Sequence, residues 1–173
     1  MKKKSEIDSI FQQFYKGDRI AGYVYILIFL FFISISVPFY LIGDRLGYFY
    51  LSIGFFVLAL YSLGKGISIW YVSTKRLKYY TYKYKLTEQE LKEEKVYTRF
   101  RMSKKYKNRK RYLFVILVGI MVSIVGLFTS EKGLIIGTAI PIILFTSIEF
   151  CIGLLVEFRL SEYYKRLNKE TVP

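Results

Sequence analysis

Two charges stand inside apolar runs where a bilayer would exclude them: Lys65, in YSLGKGISIW at residues 61–70, and Glu149, within residues 133–156. An ionised group at mid-bilayer costs about 3 kcal/mol on insertion scales, so such residues pair, snorkel or face water. Lys65 precedes Val72 by seven residues and Glu149 precedes Val156 by seven. At the helical rise both lie about 10 Å from the end of their apolar run. In two helices running the same way, an amine and a carboxylate then share one level and form an ion pair.

The neighbours extend that pair into a candidate polar seam. Tyr61, Lys65 and Ser68 recur at i, i+4 and i+7, and Thr146, Glu149 and Gly153 at i, i+3 and i+7, so each set shares a helix face. Gly64 and Gly66 would admit a close helix, and Gly133 with Gly137 matches the G-x-x-x-G spacing. The seam formed by Lys65, Glu149, Tyr61, Ser68 and Thr146 has two readings. In one it is a buried polar bond that fixes helix pairing. In the other it lines an ion or proton path, with Lys65 setting selectivity and Glu149 titrating.

Other chemistries are excluded by composition. The chain has no histidine, three aspartates and one cysteine, Cys151, which leaves no Cys/His metal cluster, no Ser-His-Asp triad and no disulfide framework. No metal, no cofactor and no enzyme activity is expected, since nothing pairs a nucleophile with a base.

The elements that must position the seam follow from hydropathy. A 53% hydrophobic, 19% aromatic composition points to the membrane class, while 23% charged residues require segregation into blocks. Residues 20–42, 48–72, 112–129 and 133–156 each meet the length of a helical span. The fold class is therefore an all-α integral membrane protein with four transmembrane helices in two hairpins, residues 20–72 and 112–156. Short polar connections at 43–47 (GDRLG) and 130–133 (SEKG) close each hairpin. Matches 83 residues apart, LSIG with LIIG and RLKYY with RLSEY, are compatible with a duplicated hairpin.

Charge sets the orientation. Five lysines and arginines precede the first span, fifteen fall between Lys75 and Arg111, four follow the fourth span, and the short loops hold only Arg45 and Lys132. The positive-inside rule then places both termini and residues 73–111 in the cytoplasm of a multi-pass cell-membrane protein, and it accounts for the net charge of +14. Tyr23, Tyr25, Trp70, Tyr71 and Tyr112 are expected as an inner aromatic belt, with Tyr40, Tyr48 and Tyr50 as the outer one. Span one reads as an uncleaved anchor.

Three cytoplasmic parts complete the plan. Residues 1–19 predict an amphipathic helix on the inner surface, started at Ser5 and Asp8 and ended by a turn at Gly17 and Asp18. Residues 73–111 predict a basic helical hairpin turning near Lys85 and Leu86, its second helix opened by a Thr87/Glu90 capping box and a Leu86/Leu91 staple. Acidic residues 88, 90, 93 and 94 in its first turns suit the helix dipole. Residues 157–173 form a cytoplasmic tail.

The tract KRLKYYTYKYK offers a basic and aromatic surface of Lys75, Arg76, Lys78, Tyr79, Tyr80, Tyr82, Lys83, Tyr84 and Lys85. Anionic lipid headgroups are its expected partner, because lysine and tyrosine beside a span serve as interfacial anchors. A nucleotide or single-stranded nucleic acid is the other chemistry that suits interleaved cations and rings. Two functions compete. One is a small oligomeric channel or membrane-perturbing effector gated through the basic region, in bacterial toxicity or antiviral defence. The other is a non-conducting immunity, accessory or scaffold subunit that docks a partner protein through the cytoplasmic hairpin.

Overall fold

The computed structural model describes residues 2–43, 46–82 and 87–169, with side chains described from residue 10 onward. The described residues contain no strands and, apart from a few turn residues, form four helices: α1 (Lys2–Leu41), α2 (Leu46–Tyr82), α3 (Glu88–Leu127) and α4 (Lys132–Lys169). Each is long and apolar enough to cross a membrane, so the chain has the makings of a multi-pass membrane protein.

The helices are longer than a bilayer needs. Forty residues of α1 or α3 extend about 60 Å, twice the roughly 30 Å hydrocarbon core. The excess falls at one end, because the polar stretches are the starts of α1 and α3 and the finishes of α2 and α4. As expected, α2 continues past Val72 to Tyr82 and α3 begins well before Tyr112. The Thr87/Glu90 capping box is present, with the Thr87 N–H donating to Glu90 at 2.9 Å. Leu86, the expected staple partner of Leu91, lies outside the described residues, as does the expected turn at Lys85.

One expectation is corrected. The chain does not turn at Gly17 and Asp18, and α1 runs unbroken from Lys2 to Leu41. The apolar face of its first half therefore does not lie along a membrane surface. Phe11, Phe14 and Tyr15 are buried against Leu160, Tyr163 and Leu167 of α4, with Tyr80 of α2 packed alongside. Phe14 stacks on Tyr163 at 3.9 Å between centroids and Phe11 on Tyr80 at 4.5 Å. Burying each such ring takes enough apolar area out of water to be worth about 1.5–3 kcal/mol.

A second core of Phe32, Leu51, Phe55 and Ala59 lies in the apolar half, with Phe145 of α4 beside it. Here α1 and α2 run antiparallel in close contact, joined by Ser36 and Ser52, each donating its hydroxyl to the other's carbonyl at 2.9 Å. The approach of α2 to α4 is glycine-dependent. A Cβ on Gly137 would stand 2.5 Å from the Gly47 carbonyl oxygen, and one on Gly54 2.7 Å from the Pro141 ring. The G-x-x-x-G pair thus lies at a real helix contact. Gly66 meets Gly22 of α1 in the same way, whereas nothing comes within 4 Å of a Cβ at Gly64.

Candidate functional site

The parallel course of α2 and α4 brings Lys65 and Glu149 together. Lys65 Nζ donates to Glu149 Oε1 at 2.6 Å and also reaches Oε2. Glu149 is 2% exposed, while the Lys65 side chain keeps 22% of its surface. A carboxylate removed from water is tolerated only when paired, and the ammonium supplies that pairing.

Three tyrosines enclose the pair. The Tyr25 ring lies 4.5 Å from Lys65 Nζ, and the Tyr61 ring 5.8 Å, so the cation faces aromatic walls on two sides. Tyr112 donates to Glu149 Oε2 at 3.4 Å. Tyr25 and Tyr112 were expected in the aromatic belt, and in the structure they turn inward. Gly66 permits this, because α1 comes close enough for Tyr25 Cβ to stand 3.1 Å from a Cβ placed there. Of the other residues expected there, Trp70 donates its Nε1 to the Tyr23 hydroxyl at 3.1 Å, and Tyr71 is exposed.

The rest of the predicted seam disperses. Thr146 is buried but returns its hydroxyl to the Ile142 carbonyl at 2.6 Å. Ser68 donates to the Gly64 carbonyl and faces a cleft between α2 and α3 rather than Glu149.

A second polar centre joins all four helices, with Glu94 of α3 at its middle. Glu94 is 4% exposed. Its Oε1 accepts from the hydroxyls of Tyr15 on α1 at 2.6 Å and Tyr163 on α4 at 3.1 Å. Its Oε2 accepts from Tyr80 at 2.9 Å and Arg76 at 3.3 Å, both on α2. Arg76 also donates to Tyr15 at 2.9 Å and rests 3.9 Å from the Tyr97 ring centroid. Burial, followed by the charge of Glu94, raises the pKa of Tyr15, Tyr80 and Tyr163 above the ordinary tyrosine value, which keeps all three as donors.

Asp18 forms the third centre. It accepts from Arg101 at 2.9 Å and lies 3.6 Å from Arg159, which donates to the Phe14 carbonyl at 2.9 Å. Gly17 makes that possible, since a Cβ there would sit 2.1 Å from the Arg159 guanidinium. Lys105 lies among these charges, and burial, then the like charge of Lys65, lowers its pKa below the usual lysine value.

The tract after Ser73 therefore divides. Arg76 and Tyr80 turn into the bundle, whereas Lys75, Lys78, Tyr79 and Tyr82 face outward. Tyr79 donates to Glu90 of α3. Lys83, Tyr84 and Lys85 lie outside the described residues. Sequence reasoning missed Glu94, Asp18, Tyr15 and Tyr163. A signal for them exists: Glu94, Thr98, Arg101 and Lys105 recur at i, i+4, i+7 and i+11, one face of α3, and Thr98 is 1% exposed.

No group of three or more metal-ligating side chains occurs among the described residues. Comparison of the chain with protein-family models, curated proteins and solved structures gives no match.

Proposed function

We propose that this chain is a multi-pass protein of the cell membrane, its four spans arranged as two hairpins with both termini cytoplasmic, and that it acts as a non-conducting accessory or scaffold subunit. The observation that carries this reading is internal pairing. Lys65–Glu149, Asp18 with Arg101 and Arg159, and Glu94 with Arg76 and three tyrosines neutralise the interior carboxylates within one chain. A bundle that satisfies its own buried charges has no electrostatic demand for a water-filled path.

What is left outward supports docking. On α3, Lys92, Arg99, Lys104, Lys107, Lys110 and Arg111 are exposed, and Val96 and Phe100 stand among them with 70% and 62% of their surface free. A basic face carrying two apolar anchors suits an acidic protein segment with apolar side chains. The positive-inside rule places that face in the cytoplasm.

The competing reading, an oligomeric channel or membrane-perturbing effector in toxicity or antiviral defence, draws on the residual exposure of Lys65. Ion flux through liposomes bearing the purified protein separates the two. Docking predicts tight liposomes for both wild type and Glu149→Gln, and a photo-crosslinking residue at position 100 that captures one discrete band in native membranes while position 114 does not. Flux that changes with Glu149→Gln would put Glu149 on a conducting path and overturn the docking role.

A further inference from the structure

Helices α2 and α3 leave a chemically distinctive gap between them. No described Cα of α2 lies within 8 Å of one of α3, and the pair is joined at the polar end by side chains reaching Glu94 and Glu90. Below that bridge is a cleft of about 260 Å³. Ser68, Val72 and Arg76 of α2, Tyr97 and Arg101 of α3 and Asp18 of α1 line it.

Two guanidiniums converge there on one ring: Arg76 at 3.9 Å from the Tyr97 centroid and Arg101 at 5.8 Å. Guanidinium carries five donors in a rigid fork that matches phosphate oxygens. Among the described residues, the hydrogen bonds of Arg76 leave from Nη1 and that of Arg101 from Nη2, so each has a second donor edge. The charge nearby favours an anion. Arg76, Arg101, Arg159 and Lys105 outnumber Asp18 and Glu94 by two.

The α2 wall of the cleft is also graded along its length. On it Ile69 and Val72 are apolar, the Ser68 hydroxyl is turned back to the Gly64 carbonyl, and Arg76 follows Val72 by one helical turn, about 6 Å. That step from apolar to cationic matches the boundary between acyl chain and phosphate in a lipid.

We infer that the cleft between α2 and α3 binds a phosphate-bearing anion supplied by an anionic phospholipid, its headgroup between Arg76 and Arg101 and an acyl chain against Ile69 and Val72. The inference rests on the helices crossing a bilayer and is independent of the docking role.

Thermal unfolding of the full-length protein in detergent, titrated separately with short-chain phosphatidylglycerol, phosphatidylcholine and inorganic phosphate, tests it. Phosphatidylglycerol is expected to raise the melting temperature, with little response to the other two. Arg101→Gln should weaken the apparent affinity about tenfold or more, the loss of a charged hydrogen bond.

Because Arg101 also holds Asp18, Ser68→Trp provides a second variant. It fills the cleft from an exposed position and touches neither carboxylate, so the melting temperature in plain detergent should hold while the phosphatidylglycerol response disappears. Arg109→Gln, which alters the separate Arg109–Glu157 pair, should respond like wild type. The inference is overturned by no phosphatidylglycerol response in wild type, or by an unchanged response in Ser68→Trp. An equal response to inorganic phosphate would overturn the lipid assignment.

Discussion

Replacing Glu94 by glutamine keeps the side-chain shape and removes the charge. The carboxylate accepts four donors, two on each oxygen. Glutamine offers one oxygen and one amide that is itself a donor, so two of the four lose their acceptor. A hydrogen bond to a charged group contributes about 1.5–3 kcal/mol. Arg76 keeps 31% of its side chain exposed and recovers part of its solvation in water. Two losses near the lower limit give about 3 kcal/mol. For a chain of this size that lowers the melting temperature by roughly 6–12 °C. The assay is thermal unfolding in detergent with Tyr80→Phe and Tyr163→Phe alongside, each of which removes a single donor and should cost about half as much. A Glu94→Gln protein melting with the wild type would show that the centre does not hold the helices together, and the reasoning from buried acceptors would fail.

Further outcomes follow from the other contacts. Glu149→Gln strands Lys65 at a cost of about 2 kcal/mol after allowance for its partial exposure, and membrane accumulation of a fluorescent fusion should fall. Exchanging the charges, Lys65→Glu with Glu149→Lys, should restore part of it, and a double variant no better than either single one refutes direct pairing. Gly137→Ala should lower the melting temperature, because the Cβ would meet the Gly47 carbonyl, while Gly64→Ala should leave it unchanged or slightly higher. High pH gives another check. The raised tyrosine pKa values mean that the folded state holds these protons more tightly, so their stabilisation is complete below about pH 10 and declines as pH rises further. Tyr15→Phe combined with Tyr163→Phe should flatten that decline in melting temperature between about pH 9 and 11, and an unaltered slope would contradict it.

What was legible in the sequence depended on contrast. Lys65 and Glu149 stand out because their surroundings are uniformly apolar, and a fixed rise per residue converts position into depth. The four long helices were legible for the same reason. Glu94 gave no contrast, since Glu88, Glu90 and Glu93 precede it and all suit the start of a helix. Which acid faces inward depends on the rotation of α3, and that is set by partners 79 and 69 residues away. The unbroken α1 was hidden by Gly17 and Asp18, which resemble a turn in isolation. Arg159 and Arg101 make them an internal contact. The inward turn of Tyr25 required the approach of Gly66 to Gly22.

The Glu94 centre also bears on the order of synthesis. Tyr15, Arg76 and Tyr80 leave the ribosome before their acceptor, and the last donor, Tyr163, lies beyond the final apolar run. On the proposed membrane arrangement, a nascent chain cannot complete this knot until its fourth helix has entered the bilayer. Up to that moment Phe11 and Phe14 lack the α4 surface that covers them. On that arrangement the centre would report completed insertion: chains stalled after three helices would display those rings to chaperones and proteases, and only molecules that have added α4 would conceal them.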